Sequence, residues 1–327
     1  LRSDLSESLT SHAPSSVTVT TTARLHFGFL DPSGRSAEPF GSFGLSLDQP
    51  CTRLTLQSAE ADMASGAQSD RAARYLKTIA ESCGVFRAYR LHMEAAIPSH
   101  AGLGSGTQLA LAVGSAFAAL EGFDLTPIEI AARLGRGARS GIGIATYEAG
   151  GAVLDSGPRD GALPALEARV PFPEDWRVLL IFDPETKGLD GADEVAAFET
   201  LPAFPSAEQA DLRERIVDRA LPALEARDFA AFCGEVGHLQ ERMGAYFAPL
   251  QGGPYTSPHV AAVIESLRAD GVTGLGQSSW GPTGFAFAQS EETGMRLLAA
   301  ARDRDDSGVL RFILARGRNE GAEIAPS

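Results

Sequence analysis

The chain has 327 residues, 44% of them hydrophobic and 21% charged, so it is long enough for two ordinary domains or one large one with a core of normal size. It carries 42 acids against 28 bases, a net charge of −14. Such a surface repels nucleic acid and anionic lipid, so neither is expected as a partner, and an anionic substrate has to be drawn in by local donors. Three widely separated cysteines, Cys51, Cys83 and Cys233, form no Cys-x-x-Cys pair. They point to neither a structural zinc nor a disulfide framework and read as small buried apolar residues. No apolar run approaches the roughly 18 residues that span a bilayer, and the cytoplasm is the default location.

Residues 1–15 are polar and serine-rich and are expected to be a disordered lead-in. From Ser16 to Leu25 the chain alternates β-branched residues, which predicts a strand. Cys51–Gln57 and Phe86–Ala96 predict two more, with a helix over Ser69–Ser82 between them. The segment Gly102–Gly106 is a glycine-rich turn leading into an Ala/Leu-rich helix closed by Gly122. Thr126, Pro127 and Glu129 have the spacing of a capping box with proline at the first helical position, and Gly135 ends that helix. Gly150–Asp155 reads as a short strand. Ser156–Pro173, rich in Pro, Gly and acid, reads as a divider between halves 16–172 and 173–327. The second half predicts a strand at Arg177–Phe182, then helices at Ala192–Thr200, Ser206–Ala226 and Phe229–Phe247. A further helix runs from Ser257-Pro258 to Gly271. A strand at Gly281–Ala288, a helix at Glu291–Arg302 and a strand at Val309–Ala315 complete the chain. This is α+β rather than regular βαβ alternation.

Three segments carry chemistry. Pro98–Thr107, PSHAGLGSGT, joins a strand to a long helix. Its glycines let the backbone approach a ligand, and the free N–H groups and macrodipole of the helix start favour an anion there. Gly102, Gly104, Ser105, Gly106 and Thr107 are its candidate contacts. The spacing is neither the dinucleotide fingerprint nor Walker A. A tight turn with no ligand is the plainer alternative. The second segment, Gly274–Gly284, offers backbone N–H groups with Gln277, Ser278, Ser279 and Thr283, again suiting an oxyanion; the alternative is an ordinary hairpin. In the third, Thr22–Gly28, alternation puts Arg24 and His26 on one strand face, two cationic or donor groups for a phosphate or carboxylate. A salt bridge beside a satisfied core histidine is the alternative. Lys187 sits in PETKGLDG and is a weaker phosphate candidate, as is His100 in the first glycine loop. Asp31, Glu148, Asp155 and Glu194 are candidate metal or proton ligands that no motif forces into the role.

The strings ARLHFGFLD, GSFGLSLDQP, GLGSGTQLALAVG, SGIGIATYEAGGAVLDSG, QGGPYTSP and GQSSWGPTGFAF occur in order from about Ser16 onward. Together they resemble the GHMP superfamily and, within it, the β-ribofuranosylaminobenzene 5′-phosphate synthase family. The resemblance implies a two-lobed fold, with an N-terminal half like ribosomal protein S5 domain 2 and a ferredoxin-like C-terminal half. It implies condensation of 5-phosphoribosyl 1-diphosphate with 4-aminobenzoate, or 4-hydroxybenzoate in some relatives, with loss of diphosphate and CO₂, on the route to tetrahydromethanopterin-type carriers. Mg²⁺ and a homodimer are implied in the same way. On this view the Gly102–Thr107 segment holds the diphosphate, Arg24 and His26 bind an anionic group, and Gln277, Ser278, Ser279 and Thr283 line the other wall. The rival is an ATP-dependent GHMP small-molecule kinase. Against it, the Gly-Glu-His start pattern is replaced by Arg24-Leu-His-Phe-Gly, and Glu148 is the single acid in SGIGIATYEAGG. A non-catalytic binding module that kept the anion loops is the second rival.

Overall fold

The computed structural model describes residues 14–36, 39–188, 197 and 200–327. Most of the helix expected at Ala192–Thr200, the candidate ligand Glu194 and most of the lead-in lie outside the described residues; Ala197 and Thr200 are helical, and the Thr200 hydroxyl donates to the Ala197 carbonyl at 2.8 Å. Ser15, the end of that lead-in, donates from its N–H and its hydroxyl to the Ser327 carbonyl.

The first lobe is a sheet with order β11-β1-β2-β4-β3, and β5 extends it from β2 and carries β6. Its strands are β1 (Ser16–Asp31), β2 (Phe40–Ser58), β3 (Met63–Gly66), β4 (Tyr89–Ala95), β5 (Ala152–Asp155) and β6 (Leu166–Val170). The helices α1 (Ser69–Ser82), α2 (Ser105–Glu121), α3 (Pro127–Arg133) and α4 (Ile142–Ala149) accompany it. Helix α2 is apolar almost all round, because it is packed between the sheet and the other helices. The Thr126–Glu129 capping box forms as the spacing predicts, with Pro127 at the first helical position.

Strand β1 is longer than expected and changes partners along its length. Val17 and Val19 pack with Leu109, Leu111 and Val113 of α2. Between Thr22 and Arg24 the pairing with β2 shifts register. Beyond that shift Leu25 and Phe27 belong to a different core cluster, shared with the second lobe.

The second lobe is a four-stranded antiparallel sheet, β10-β7-β9-β8, built from β7 (Arg177–Phe182), β8 (Leu275–Gln277), β9 (Thr283–Ala288) and β10 (Arg311–Ala315). This is the expected ferredoxin-like order. One face packs on helices Pro258–Ala269 and Glu291–Asp303 through Leu179, Ile181 and Ala286. The other presents Leu180, Phe285 and Phe287 to the helix Phe229–Gln251 and to β1. With both faces covered, β7 reads as a continuous apolar run. Phe27 joins the lobes, with ring centroids 5.1 Å from Phe43, 5.5 Å from Phe285 and 5.8 Å from Phe287.

Several elements depart from expectation. The divider Ser156–Pro173 contains strand β6, an edge strand hydrogen-bonded to β5. The final strand β11 (Glu323–Pro326) leaves the half expected over 173–327 and pairs antiparallel with β1. The helix expected at Ser206–Ala226 is α-helical at Ser206–Glu214 and Leu221–Glu225 with a π-helical stretch, Arg215–Ala220, between. Of the cysteines only Cys233 is fully buried, and burial pushes its thiol up to about 12. No helix among the described residues is long and apolar enough to cross a membrane.

Because one aromatic cluster spans both lobes, they should unfold together. Phe232→Ala, removing a fully buried ring, is expected to cost about 3–5 kcal/mol and to shift one cooperative transition in chemical denaturation. Two separated transitions would count against a shared core.

Candidate active site

Two glycine-rich loops from different lobes meet backbone to backbone. The Ser278 hydroxyl donates to the Gly102 carbonyl at 2.7 Å and accepts the His26 N–H at 3.0 Å. The Ser279 N–H donates to the His26 carbonyl at 3.1 Å. The Arg24 N–H donates to the Leu103 carbonyl at 3.2 Å, and its Nη1 donates to Gly102 at 2.7 Å. A Cβ on Gly102 would stand 2.2 Å from the Ser278 carbonyl oxygen, and one on Gly281 would stand 2.2 Å from the Gly102 nitrogen. Side chains are therefore excluded at both positions. A third loop joins them: the Gly188 N–H donates to the His100 carbonyl, and a Cβ on Gly188 would stand 2.2 Å from the Trp280 carbonyl oxygen. Lys187 beside it is exposed, so its glycine neighbour, rather than its own amine, makes the contact.

The knot fixes the start of α2. Gly104 is the cap residue, in the left-handed conformation, and no side chain caps the helix. Gln108 is the first residue whose N–H finds a helical acceptor, Gly104. The N–H groups of Ser105, Gly106 and Thr107 and the two hydroxyls have no partner among the described residues. Three guanidinium groups lie close by. A Cβ on Gly104 would stand 3.1–3.4 Å from the Arg24 side chain. One on Gly106 would stand 2.6 Å from Arg71 Nη2 and 3.4 Å from Arg136 Nη1. Free amides, a positive helix end and three cations make an anion cradle in a strongly acidic protein. Sequence reasoning found the loop and Arg24 but missed Arg71 and Arg136. They belong to no motif, and only the packing of α1 and of the turn after α3 against α2 brings them in.

His26 departs from its expected role. It is 2% exposed, and neither ring nitrogen has a hydrogen-bond partner. Burial, together with the nearby Arg24 charge, holds its pKa well below 6.5. The ring is neutral at neutral pH, so a cationic role is corrected to that of a neutral donor or acceptor. It lies 4.5 Å from Phe29 and lines a small cavity with Met243, Phe247, Gln277 and Trp280, about 30 Å³ in volume.

Gln277 is a strut of this wall. Its side-chain oxygen accepts the Thr256 N–H at 2.6 Å, and its amide donates to the Ser279 carbonyl at 2.9 Å. Gln240, which sequence reasoning missed, accepts the Gln277 N–H at 2.6 Å and donates to the Phe27 carbonyl. A Cβ on Gly276 would collide with it at 2.0 Å, which accounts for that glycine. Thr283 is fully buried behind the turn, its carbonyl accepting the Ser278 N–H and its hydroxyl unpartnered.

The acidic candidates serve the backbone. Asp155 is wholly buried and accepts the N–H groups of Ser42, Gly141 and Gly157 and the Ser140 hydroxyl. Burial still raises its pKa to about 6 against those donors. Asp31 accepts from Ser33 and Ser36 in its own turn. Glu148 is exposed on α4. No three His, Cys, Asp or Glu side chains among the described residues come together as a metal cage.

Ser278→Ala removes both hydroxyl contacts and leaves the buried His26 N–H unpaired. It is expected to cost about 1–3 kcal/mol, read as a lower denaturation midpoint at unchanged slope. His26 gives a pH test. Its folded pKa is below the ordinary 6.5, so the unfolded chain takes the proton first. The stability it contributes is complete above 6.5 and is lost as the pH falls below that value. Wild type should therefore lose stability relative to His26→Phe from pH 7 to pH 5; a constant difference would show that His26 is not buried neutral.

Residues 70–151 match the family of GHMP kinase N-terminal domains and residues 220–305 the GHMP kinase C-terminal family. Among solved structures, homoserine kinase from Cytophaga hutchinsonii superposes with a TM-score of 0.67 at 16% identity, covering 99% of this chain and all of that one. Mevalonate diphosphate decarboxylase from Staphylococcus aureus gives 0.67 at 14% identity, covering 95% of this chain and 98% of that one. These likenesses concern the fold. The β-ribofuranosylphenol 5′-phosphate synthase of Archaeoglobus fulgidus is 30% identical over 93% of this chain and 98% of its own length. That of Methanothermobacter thermautotrophicus is 28% identical over 93% and 97%. The chain belongs to the β-ribofuranosylphenol 5′-phosphate synthase family within the GHMP fold.

Proposed function

We propose that this chain joins the C1 of 5-phosphoribosyl 1-diphosphate to the ring carbon of 4-hydroxybenzoate that bears the carboxylate, releasing diphosphate and CO₂. The phenol in its relatives' name supports 4-hydroxybenzoate as the acceptor, with 4-aminobenzoate as the alternative. The observation that carries the reading is the α2 start, where the N–H groups of Ser105, Gly106 and Thr107 and two hydroxyls have no partner among the described residues and lie beside Arg24, Arg71 and Arg136.

The chemistry follows from that cradle. The C1–O bond of the donor breaks and its electrons go to the diphosphate. Charge grows on the leaving group as it departs, and preoriented amides and guanidinium groups stabilise it most at that moment. The electron-rich ring attacks C1 through the carbon para to its hydroxyl. CO₂ then leaves without the electrons of its bond, which restore aromaticity. The hydroxyl keeps its proton overall: a proton lent to solvent or to the neutral His26 ring as the ring attacks returns when CO₂ leaves and the phenol re-forms. His26, Phe29, Phe247 and Trp280 form a largely apolar wall beside the loop knot, suited to an aromatic ring and to keeping water from a developing ribosyl cation.

Among the described residues no cluster of acidic side chains forms a metal cage, so Mg²⁺ would enter with the diphosphate, and the Ser105 and Thr107 hydroxyls are the groups that would help hold it. When bound, it supplies further charge neutralisation. The same reading places the enzyme in the cytoplasm as a homodimer.

The decisive test is incubation with 5-phosphoribosyl 1-diphosphate, carboxyl-labelled 4-hydroxybenzoate or 4-aminobenzoate and Mg²⁺, without ATP. Labelled CO₂ is expected; its absence with both acids would overturn the synthase reading, and ATP consumption in a separate incubation with another acceptor would make the chain a kinase. Arg24→Ala should lower kcat/KM for the donor roughly 10- to 150-fold, the range of a charge-assisted hydrogen bond.

A further inference from the structure

We propose that Arg71 and Arg136 form a dedicated clamp for the outer phosphate of a diphosphate, and so select diphosphate-bearing ligands over monophosphates. This rests on the reading that the α2 start holds the diphosphate of the donor.

Both guanidinium groups approach one point beside Gly106, with Arg71 Nη2 2.6 Å and Arg136 Nη1 3.4 Å from where a Cβ would be. They come from different elements, Arg71 from the first turn of α1 and Arg136 from the turn after α3. Two like charges held together are unfavourable unless something offsets them. Other arginines of the chain are paired with carboxylates: Arg53 with Glu94, Arg87 with Glu121, Arg215 with Asp211 and Glu235. Neither Arg71 nor Arg136 has a carboxylate partner among the described residues.

What holds them is Tyr75. Arg71 lies 5.8 Å from its ring centroid and Arg136 5.3 Å, and Arg136 also donates to its hydroxyl. A tyrosine orients the pair without cancelling its charge. The Nε of Arg136 is buried with no hydrogen-bond acceptor. Cations kept together, oriented and left uncompensated next to a positive helix end lack an anion.

The position of the pair assigns it to the outer phosphate. Arg24 stands at Gly104, next to the loop knot and on the same strand as His26, whereas Arg71 and Arg136 stand two residues further along, at Gly106. A phosphate bridging to ribose belongs at the knot, near the ring wall. A second phosphate linked to it reaches the Arg71–Arg136 side. Monophosphate has nothing to place there once the first position is filled.

The test measures binding of pyrophosphate and of phosphate to the full chain by calorimetry, in wild type, Arg71→Gln and Arg136→Gln, with thermal melts as the folding control. Wild type should bind pyrophosphate more tightly than phosphate. Each variant should lose about tenfold or more in pyrophosphate affinity, the scale of a charge-assisted contact, with phosphate affinity nearly unchanged. Unchanged pyrophosphate affinity, or equal losses for both ligands, would overturn the clamp while leaving the cradle intact. Wild type that binds no pyrophosphate would remove the cradle and the clamp together. Gly106→Ala supplies a second arm: a Cβ there displaces the flexible end of Arg71 while alanine favours the helix. Its melting temperature should hold or rise as selectivity for pyrophosphate falls; a gain in stability with selectivity intact would also count against the clamp.

Discussion

Gly102, Gly188 and Gly281 come from three loops, and each brings its backbone so close to another that a Cβ would lie 2.2 Å from a backbone atom. Real Cβ atoms do not tolerate such contacts, so these positions have no conservative replacement. The contact of Gly102 with Gly281 is also where the lobes are tied, since the first loop leads into α2 and the second connects β8 to β9. Ser278 completes the tie with a hydroxyl that is simultaneously donor to Gly102 and acceptor from His26. Everything that makes α2 useful follows from this. Its start needs no side-chain cap because the preceding turn is held from outside. Its free amides are therefore available to a ligand rather than spent on the fold.

Electrostatics on this framework is local. A net charge of −14 opposes the approach of a diphosphate at long range. Salt shortens that repulsion to about 8–10 Å, and within that distance the cradle presents guanidinium groups and a helix end. The neutral state of His26 is part of the same arrangement. A buried cation so near Arg24 would be disfavoured, and the Arg24 charge does lower the His26 pKa. One strand thus offers a cation and a neutral ring two residues apart, which suits a site that must receive both an anion and an aromatic acceptor.

Much of this was legible in the chain. Strong local chemistry gave the right elements: the helix Ser69–Ser82, the strand Arg177–Phe182 and the Thr126 capping box appear where their patterns place them. Arg24, His26 and both glycine loops do meet, through Ser278 and Ser279. What stayed hidden depends on long-range packing. Strands β6 and β11 are short and largely exposed, and they exist because an open sheet edge accepts them. Helix α4 begins among glycines, and its start is fixed by the buried Asp155 carboxylate, from the strand that follows it, bonding the Gly141 N–H. Gln240, Arg71 and Arg136 look like ordinary polar residues on helices and a turn. Their importance lies in what they reach across to.

Asp155 shows why a buried acid need not be a ligand. Sequence alone marks it as a proton or metal candidate, and a pKa raised to about 6 would strengthen that reading taken by itself. Its geometry says otherwise. Three backbone N–H groups, from β2, from the start of α4 and from the turn after β5, converge on its two oxygens. Replacing the carboxylate would leave those donors buried and unpaired, a larger penalty than that of burying its charge among them. The cradle at α2 is the converse case. There the Ser105, Gly106 and Thr107 N–H groups converge with no acceptor among the described residues. Between two clusters of buried or half-buried polar groups, the one whose partners are incomplete is the one suited to a ligand.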